Sequence, residues 1–150
     1  MDLSKEVVLY GLKDYEQTID KVIKELNYEH NYFNMKLILT ESLSNAFNYG
    51  NNADSSKPIF LRYNRNQEII KLEIEDLGLS NKNSSSIKET LKNVSKAAYE
   101  NNMLDTFIEK GRGLFLIHCF SDNVEFNNNT LSILINTCND GKRKGDIIWS

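Results

Sequence analysis

The stretch that decides the fold, residues 41–50, reads ESLSNAFNYG and closes a segment whose apolar residues recur at helical spacing. At about 100° per residue, Glu41, Asn45 and Asn48 fall on one stripe of the predicted helix, away from its apolar face. An amide oxygen is a hard, neutral ligand that suits Mg²⁺, and a carboxylate one turn away can act as a general base. The simpler interpretation is a solvated polar face, which is the commoner meaning of an isolated Glu–Asn pair.

Further along, residues 73–78 read EIEDLG, so that a carboxylate and a glycine directly follow an apolar strand. An ionised carboxylate only accepts hydrogen bonds. Asp76 can therefore hold the exocyclic amine of adenine, and it would repel the carbonyl oxygen that guanine carries at the same position. The alternative is an ordinary turn, in which aspartate and glycine are a very common pair.

A third stretch, residues 110–117, reads KGRGLFLI and places two glycines directly before an apolar helix predicted over 114–120. Backbone N–H groups at a helix start favour phosphate, and Gly111 and Gly113 leave them accessible because glycine has no side chain. Arg112 adds positive charge. The pattern is not a Walker A loop, because Gly-x-x-x-x-Gly-Lys-Ser/Thr does not occur. The alternative is a flexible loop that precedes a core helix.

The remaining elements follow from the alternation and spacing of apolar residues. Strands are predicted over 5–10, 59–63, 69–74, 124–126, 131–135 and 146–148. Helices are predicted from an N-cap at Asp14 to about 28, from 31 or 34 to 50, and over 87–99, with a hairpin turn at 64–67 and a loop at 81–86. Consecutive strands joined by short turns imply a mostly antiparallel sheet with helices on one face, an α+β two-layer sandwich.

Composition narrows the class of protein. The 150 residues are 40% hydrophobic and 26% charged with a net charge of −3, as in one globular domain spanning 1–150. No basic run is long enough to favour nucleic acid, and we interpret 142–144 (KRK) as a solvated turn. Neither a signal peptide nor a membrane span is recognisable, and the isolated Cys119 and Cys138 fit reduced thiols. We therefore expect a cytoplasmic protein.

The order and spacing of the three stretches resemble the N, G1 and G2 boxes of the GHKL (Bergerat-fold) ATPase superfamily. The family pattern is Glu-x-x-x-Asn-Ala on a helix, Asp-x-Gly-x-Gly after a strand, and Gly-x-Gly-Leu before a helix. It corresponds here to Glu41, Asn45, Ala46, Asp76, Gly78, Gly111, Gly113 and Leu114. The likeness covers about 7–135 and is greatest to the bacterial anti-sigma factor serine/threonine kinases.

The resemblance implies a Bergerat-type sandwich that uses ATP and Mg²⁺. Glu41 takes the position of the catalytic base, and Asn45 that of the Mg²⁺ ligand. Asp76 binds adenine, with Gly78 allowing a close approach. The full cofactor-binding set is Asn45, Asn48, Asp76, Gly78, Gly111, Arg112, Gly113 and Leu114. The segment from about 80 to 110 corresponds to the ATP lid.

By the same resemblance, we expect a kinase that phosphorylates an anti-anti-sigma (STAS-type) protein, binds a sigma factor and can form a homodimer, without contacting nucleic acid or membrane. One alternative is an ATP-binding regulatory module with little or no phosphotransfer, because Ser80 replaces the second glycine of Asp-x-Gly-x-Gly. Another is a histidine-kinase-like ATPase domain. Only His30 and His118 are present, however, and His118 falls inside a predicted apolar helix, where a packed histidine is the simpler interpretation.

Overall fold

The computed structural model describes residues 2–78 and 109–148. The strands are β1 (Asp2–Tyr10), β2 (Pro58–Asn66), β3 (Ile69–Glu75), β4 (Asn123–Asn127) and β5 (Thr130–Asn136). The helices are α1 (Tyr15–Glu25), α2 (Tyr32–Asn45), α3 (Glu109–Cys119) and α4 (Lys144–Ile148). Short 3₁₀ turns lie at Glu29–Asn31 and Thr137–Asn139, and α2 continues into a π-helical turn, Ala46–Gly50.

The five strands form one antiparallel sheet in the order β1-β2-β3-β5-β4. Along β2, β3 and β5 every second side chain is buried, as expected for a sheet with one covered face. In the central row, Ile74 pairs with Leu61 on one side and Leu131 on the other. The buried face packs on the helices in one core cluster. The prediction of an α+β two-layer sandwich is therefore confirmed.

Helix α1 and helix α2 supply most of the helical half of the core. The inward residues of α1 recur at helical spacing, as do those of α2, and these side chains are almost wholly buried: Ile19, Val22, Ile23, Met35, Ile38, Leu39 and Leu43. Each fully buried aliphatic side chain contributes about 1.5 to 3 kcal/mol to the hydrophobic term. This packing fixes α2 against the sheet and so determines where its C-terminal turn lies.

Two local predictions in the first half of the chain are wrong. Asp14 does not cap α1, because it adopts a left-handed conformation (φ 59°) and its side chain makes no capping hydrogen bond. The hairpin turn lies at 67–68 rather than 64–67, since β2 continues to Asn66, opposite Ile69. Polar side chains on the open face of an antiparallel sheet look like turn residues in sequence, although they belong to the strand.

The C-terminal segment differs most from its prediction. Residues 146–148 lie in α4, not in a strand, and Asp146 Oδ2 accepts the N–H groups of Gly141 and Arg143 at 3.1 and 3.2 Å just before that helix. Arg143 is buried rather than solvated, and it forms salt bridges with Asp122 (3.0 Å) and Asp140 (2.8 Å). We call Arg143, Asp122, Asp140 and Asp146, whose carboxylate accepts the Arg143 N–H, the Arg143 cluster.

The Arg143 cluster joins distant parts of the chain. Asp140 Oδ1 accepts a hydrogen bond from the Tyr28 hydroxyl at 2.5 Å, and Asn34, near the start of α2, donates to Asp146 at 3.1 Å. Asp122 stands a few residues beyond the C-terminal end of α3. The cluster therefore ties the beginning of α2, the end of α3 and α4 together.

The predicted loop at 81–86 and the predicted helix at 87–99 lie outside the described residues, as do Ser80 and almost all of the predicted lid. Among the residues that the structure describes, no helix is long and apolar enough to cross a membrane.

Candidate functional site

A cavity opens between the C-terminal half of α2, the start of α3 and the sheet. Its lining is mainly apolar with a few polar groups, as is usual for small-molecule sites. The lining residues are Ser42, Asn45, Ala46, Tyr49, Ile74, Asp76, Leu114, Phe126 and Leu131. The cavity therefore brings together residues of all three sequence stretches.

Asp76 forms the polar floor at one end of this cavity, which we call the Asp76 end. It follows β3 on the same inward-facing alternation as Leu72 and Ile74, so its carboxylate enters the core, where only 7% of the residue is exposed. Burial raises the pKa of Asp76 to about 6, although the Gly78 N–H, which donates to Oδ1 at 2.7 Å, lowers it. A buried, ionised acceptor beside apolar walls suits a ligand that carries an amine donor.

Gly50 brings the backbone of the π-helical turn against this carboxylate. A Cβ atom on Gly50 would lie 2.0 Å from Asp76 Oδ2, which is far inside van der Waals contact. Single π-helical turns in helices are frequent at functional sites. This turn ends at Gly50, and because glycine has no Cβ atom the backbone can lie this close to the carboxylate.

At the other end of the cavity, which we call the Glu41 end, α2 meets α3. A Cβ atom on Gly113 would lie 2.7 Å from Glu41 Oε2 and 3.4 Å from Asn45 Nδ2, so α3 passes close over both side chains. Asn45 Nδ2 is buried and makes no hydrogen bond with any residue that the structure describes. An unsatisfied buried donor costs about 1 to 3 kcal/mol, which indicates a group completed by a ligand.

The residues at the two ends fit Mg·ATP. Asn45 Nδ2, which no described residue accepts a hydrogen bond from, could donate to a phosphate oxygen, and the carbonyl oxygen of the same amide could bind a hard cation. Gly113 leaves the space beside it that a side chain would fill. Asp76 supplies the acceptor for a base at the far end of the cavity.

The Gly111–Gly113 segment differs from its prediction. Helix α3 begins at Glu109, so these glycines lie inside the helix and not in a turn before it. Only the first four N–H groups of a helix lack intrahelical partners, and Gly113 lies too far along to supply one. Its observed role is close packing against α2, while Leu114 lines the cavity. The side chain of Arg112 lies outside the described part of the chain.

Two other residues predicted to bind the nucleotide, Asn48 and Gly78, do not line the cavity. Asn48 is exposed, donates to Ser44 Oγ at 3.2 Å and does not line the cavity. Asn48 lies in the π-helical turn, where the angle per residue differs from the 100° of the α-helix on which its predicted position rests. Gly78 has φ +59°, and a Cβ atom there would lie 2.3 Å from the Asn129 side chain.

Sequence reasoning missed several residues of the site, among them Gly50, Asn51 and Phe126. The strand alternation could have placed Ile74 and Asp76 on one buried face. Asn51 carried no such signal, because it opens a polar run that reads as a loop, yet it is fully buried. Asn51 is buried because it bonds backbone groups of Pro58 and Leu77, which the local sequence pattern around Asn51 does not indicate.

The chain is similar to a known protein family over most of its length. The model of the family described as "Histidine kinase-like ATPase domain" matches residues 17–136. That range contains every residue that lines the cavity. A comparison with curated proteins gives no match.

Proposed function

The chain belongs to the histidine kinase-like ATPase domain family, and from this premise we propose that it is an ATP-dependent protein serine/threonine kinase that acts as an anti-sigma factor. Membership of the family implies an ATP-binding, ATPase-like module, usually with Mg²⁺. The proposal adds the acceptor, a serine or threonine of an anti-anti-sigma (STAS-type) protein. It also adds a sigma factor as the protein that the kinase holds and releases.

The observation that carries the proposal is the packing of Gly113 against both Glu41 and Asn45. It places a carboxylate beside the amide that would hold Mg²⁺ and a phosphate oxygen. A module that only bound nucleotide would need the amide and not the carboxylate. Glu41 therefore favours phosphoryl transfer over binding alone.

The residues have distinct parts in the reaction. The acceptor hydroxyl attacks the γ-phosphorus as its proton passes to the Glu41 carboxylate, and the bond to the bridging oxygen breaks, so that ADP leaves with the bonding electrons. Mg²⁺ held by Asn45 and phosphate oxygens would neutralise charge on the transferring group. Asp76 would hold the adenine amine and so orient the nucleotide along the cavity.

Two alternative functions remain distinct in their consequences. A regulatory module that binds ATP without transferring phosphate is favoured by Ser80. A histidine-kinase-like domain would act on a histidine supplied by another segment or protein. Within the described chain, His118 is half-buried in α3, where burial lowers its pKa, and a packed histidine remains the simpler interpretation of this residue.

The test is transfer of label from Mg·[γ-³²P]ATP to purified STAS-type proteins of the same organism. We expect acid-stable label on serine or threonine, lost in Glu41→Gln while ATP binding persists. Glu29→Gln, at an exposed position just before α2, is the matched control and should retain transfer. Bound ATP without transfer would establish the regulatory module, and acid-labile label on a histidine would establish the histidine kinase.

Further arms test the partners. We expect the chain to capture a sigma factor in the presence of Mg·ATP and to release it when the unphosphorylated STAS-type protein is added. Light scattering at several protein concentrations measures whether it forms a homodimer. Capture that ignores both nucleotide and STAS-type protein would contradict the partner switch.

A further inference from the structure

Asn51, the residue after the π-helical turn, is a polar side chain with no exposed surface. Its Oδ1 accepts the N–H of Leu77 at 2.9 Å, and its Nδ2 donates to the carbonyl of Pro58 at 3.0 Å and more weakly to that of Lys57 at 3.4 Å. One side chain thus joins the end of α2, the start of β2 and the segment that leaves β3. Such a fully bonded buried amide fixes the backbone around it.

The segment 76–78 is held from its other side by the turn between β4 and β5. The Asn129 carbonyl accepts the N–H of Asp76 at 3.1 Å, and the Asn129 amide packs where a side chain on Gly78 would be. Asn129 occupies a left-handed conformation with φ 63°. Asn51 and Asn129 therefore accept hydrogen bonds from the backbone N–H groups of Leu77 and Asp76, on either side of the Asp76 side chain.

These hydrogen bonds limit how far the Asp76 carboxylate can rotate. Oδ1 accepts the Gly78 N–H at 2.7 Å, and Gly50, the neighbour of Asn51, lies against Oδ2. If the Leu77 peptide moved, Gly78 would move with it, and the bond to Oδ1 would be lost. A carboxylate that is free to turn can rearrange around a ligand that lacks a donor, whereas a fixed one cannot.

We propose that Asn51 is a positioning residue that sets base specificity. By fixing the Leu77 peptide, it holds Asp76 in the orientation that accepts a hydrogen bond from a 6-amino group and rejects a 6-carbonyl group. The inference rests on the proposed function, because it takes the cavity to be the ATP site. It differs from a purely structural role, which would affect all nucleotides alike.

The experiment measures dissociation constants for ATP and inosine triphosphate, which differ at the 6-position of the base, by calorimetry with Mg²⁺. We expect the wild type to prefer ATP by at least about tenfold. Asn51→Ala should reduce this preference several-fold, through weaker ATP binding with little change for inosine triphosphate. Asn66→Ala, at the exposed end of β2, is the matched control and should keep the wild-type ratio.

A second variant guards against misfolding of Asn51→Ala. Asn129→Gly removes the amide at Gly78 but keeps the backbone acceptor and tolerates the positive φ, so it should fold and also narrow the preference. Asn128→Gly, the exposed neighbour with φ 50°, is its control. Circular dichroism and thermal unfolding show which variants are folded.

The outcomes separate the two proposals. Suppose that the wild type prefers ATP, and that the folded variants keep the same ratio of dissociation constants or lose affinity for both nucleotides equally. Either result would overturn the role of Asn51 and leave the proposed function standing. Equal binding of both nucleotides by the wild type would remove base recognition by Asp76. No binding of either nucleotide would overturn the proposed function and the inference with it.

Discussion

The two ends of the cavity differ in how completely the protein satisfies its own polar groups. At the Asp76 end, a carboxylate oxygen, the three backbone N–H groups of residues 76–78 and the Asn51 amide all have partners within the chain. At the Glu41 end, the buried Asn45 Nδ2 has none among the described residues. The first end is already organised to recognise a ligand, whereas the second keeps a buried donor that no described residue satisfies. Substitutions that disturb the packing of the Asp76 end should therefore reduce both stability and binding, whereas removal of a poorly satisfied buried group at either end should weaken binding but stabilise the free protein.

The largest effect is expected from Gly50→Ala at the Asp76 end. The added methyl group would lie 2.0 Å from a carboxylate oxygen that is held in place, so the turn or the carboxylate must shift. We expect the free energy of unfolding to fall by about 3 kcal/mol and ATP binding to be lost. Urea denaturation measures the first effect and calorimetry the second. A variant of wild-type stability would mean that the Asp76 end is not rigid.

The next effect is expected from Asp76→Asn, which should weaken ATP binding yet stabilise the free protein. The folded-state pKa of Asp76 is about 6, against a usual 3.8, so burial of the ionised group destabilises the fold. Asp76 therefore contributes most to the free energy of unfolding below about pH 4, where it is protonated. This contribution is lost as the pH rises through 6. Above pH 6 we expect the variant to be more stable by about 2 kcal/mol.

Unfolding of both proteins between pH 4 and 8 tests this sign. The difference in stability should be small at pH 4 and should reach its full value above pH 6. In the wild type, ATP affinity should fall as the pH is lowered through 6, because a protonated carboxyl group loses acceptor capacity. A pH-independent difference in stability would show that the charge on Asp76 is not its cause.

A smaller change of the same kind is expected at the Glu41 end from Asn45→Leu. This substitution replaces an amide whose Nδ2 has no partner among the described residues with an apolar side chain of similar size. The free protein should gain about 1 kcal/mol, since a buried unsatisfied donor is removed. The stabilisation that Mg·ATP gives to the wild type should largely disappear, as measured by thermal shift with and without EDTA. A destabilised free protein would show that Asn45 is satisfied in the absence of ligand.

The smallest effect on stability is expected from Gly113→Ala. The added Cβ would lie 2.7 Å from Glu41 Oε2, but this atom is the end of a flexible side chain, and alanine favours the helix. Stability should therefore stay within about 1 kcal/mol of the wild type. Phosphoryl transfer should fall more than ATP affinity, because Glu41 is displaced. An equal loss of both would assign Glu41 a binding role.

Sequence patterns were sufficient for the sheet and the helical layer, and they named Glu41, Asn45 and Asp76 but not Gly50 or Asn51. Alternation in β3 and helical spacing before Gly50 are local signals, and they predict correctly which segments become strands and helices. The π-helical turn leaves no such signal, and Asn48, which lies in that turn, is exposed and does not line the cavity. The two isoleucines of residues 146–148 favour a strand, but the Asp146 carboxylate accepts the N–H groups of Gly141 and Arg143 just before α4 and so favours the start of a helix there. The single-domain assignment over 1–150, like the lid at about 80–110, stays a prediction.

The Arg143 cluster gives the two helices of the site a common pivot. Helix α2 is tied near its first turn through Asn34, and α3 is tied just past its last turn through Asp122, whereas the ends that carry Glu41 and Gly113 are remote from these ties. The rise of about 1.5 Å per residue places Gly113 about 9 Å along α3 from Cys119, so a rotation of about 6° at that end would displace Gly113 by about an ångström. Any shift at these ties would therefore reach the gap above Glu41, and it would be resisted by the buried α3 residues Leu114, Phe115 and Ile117.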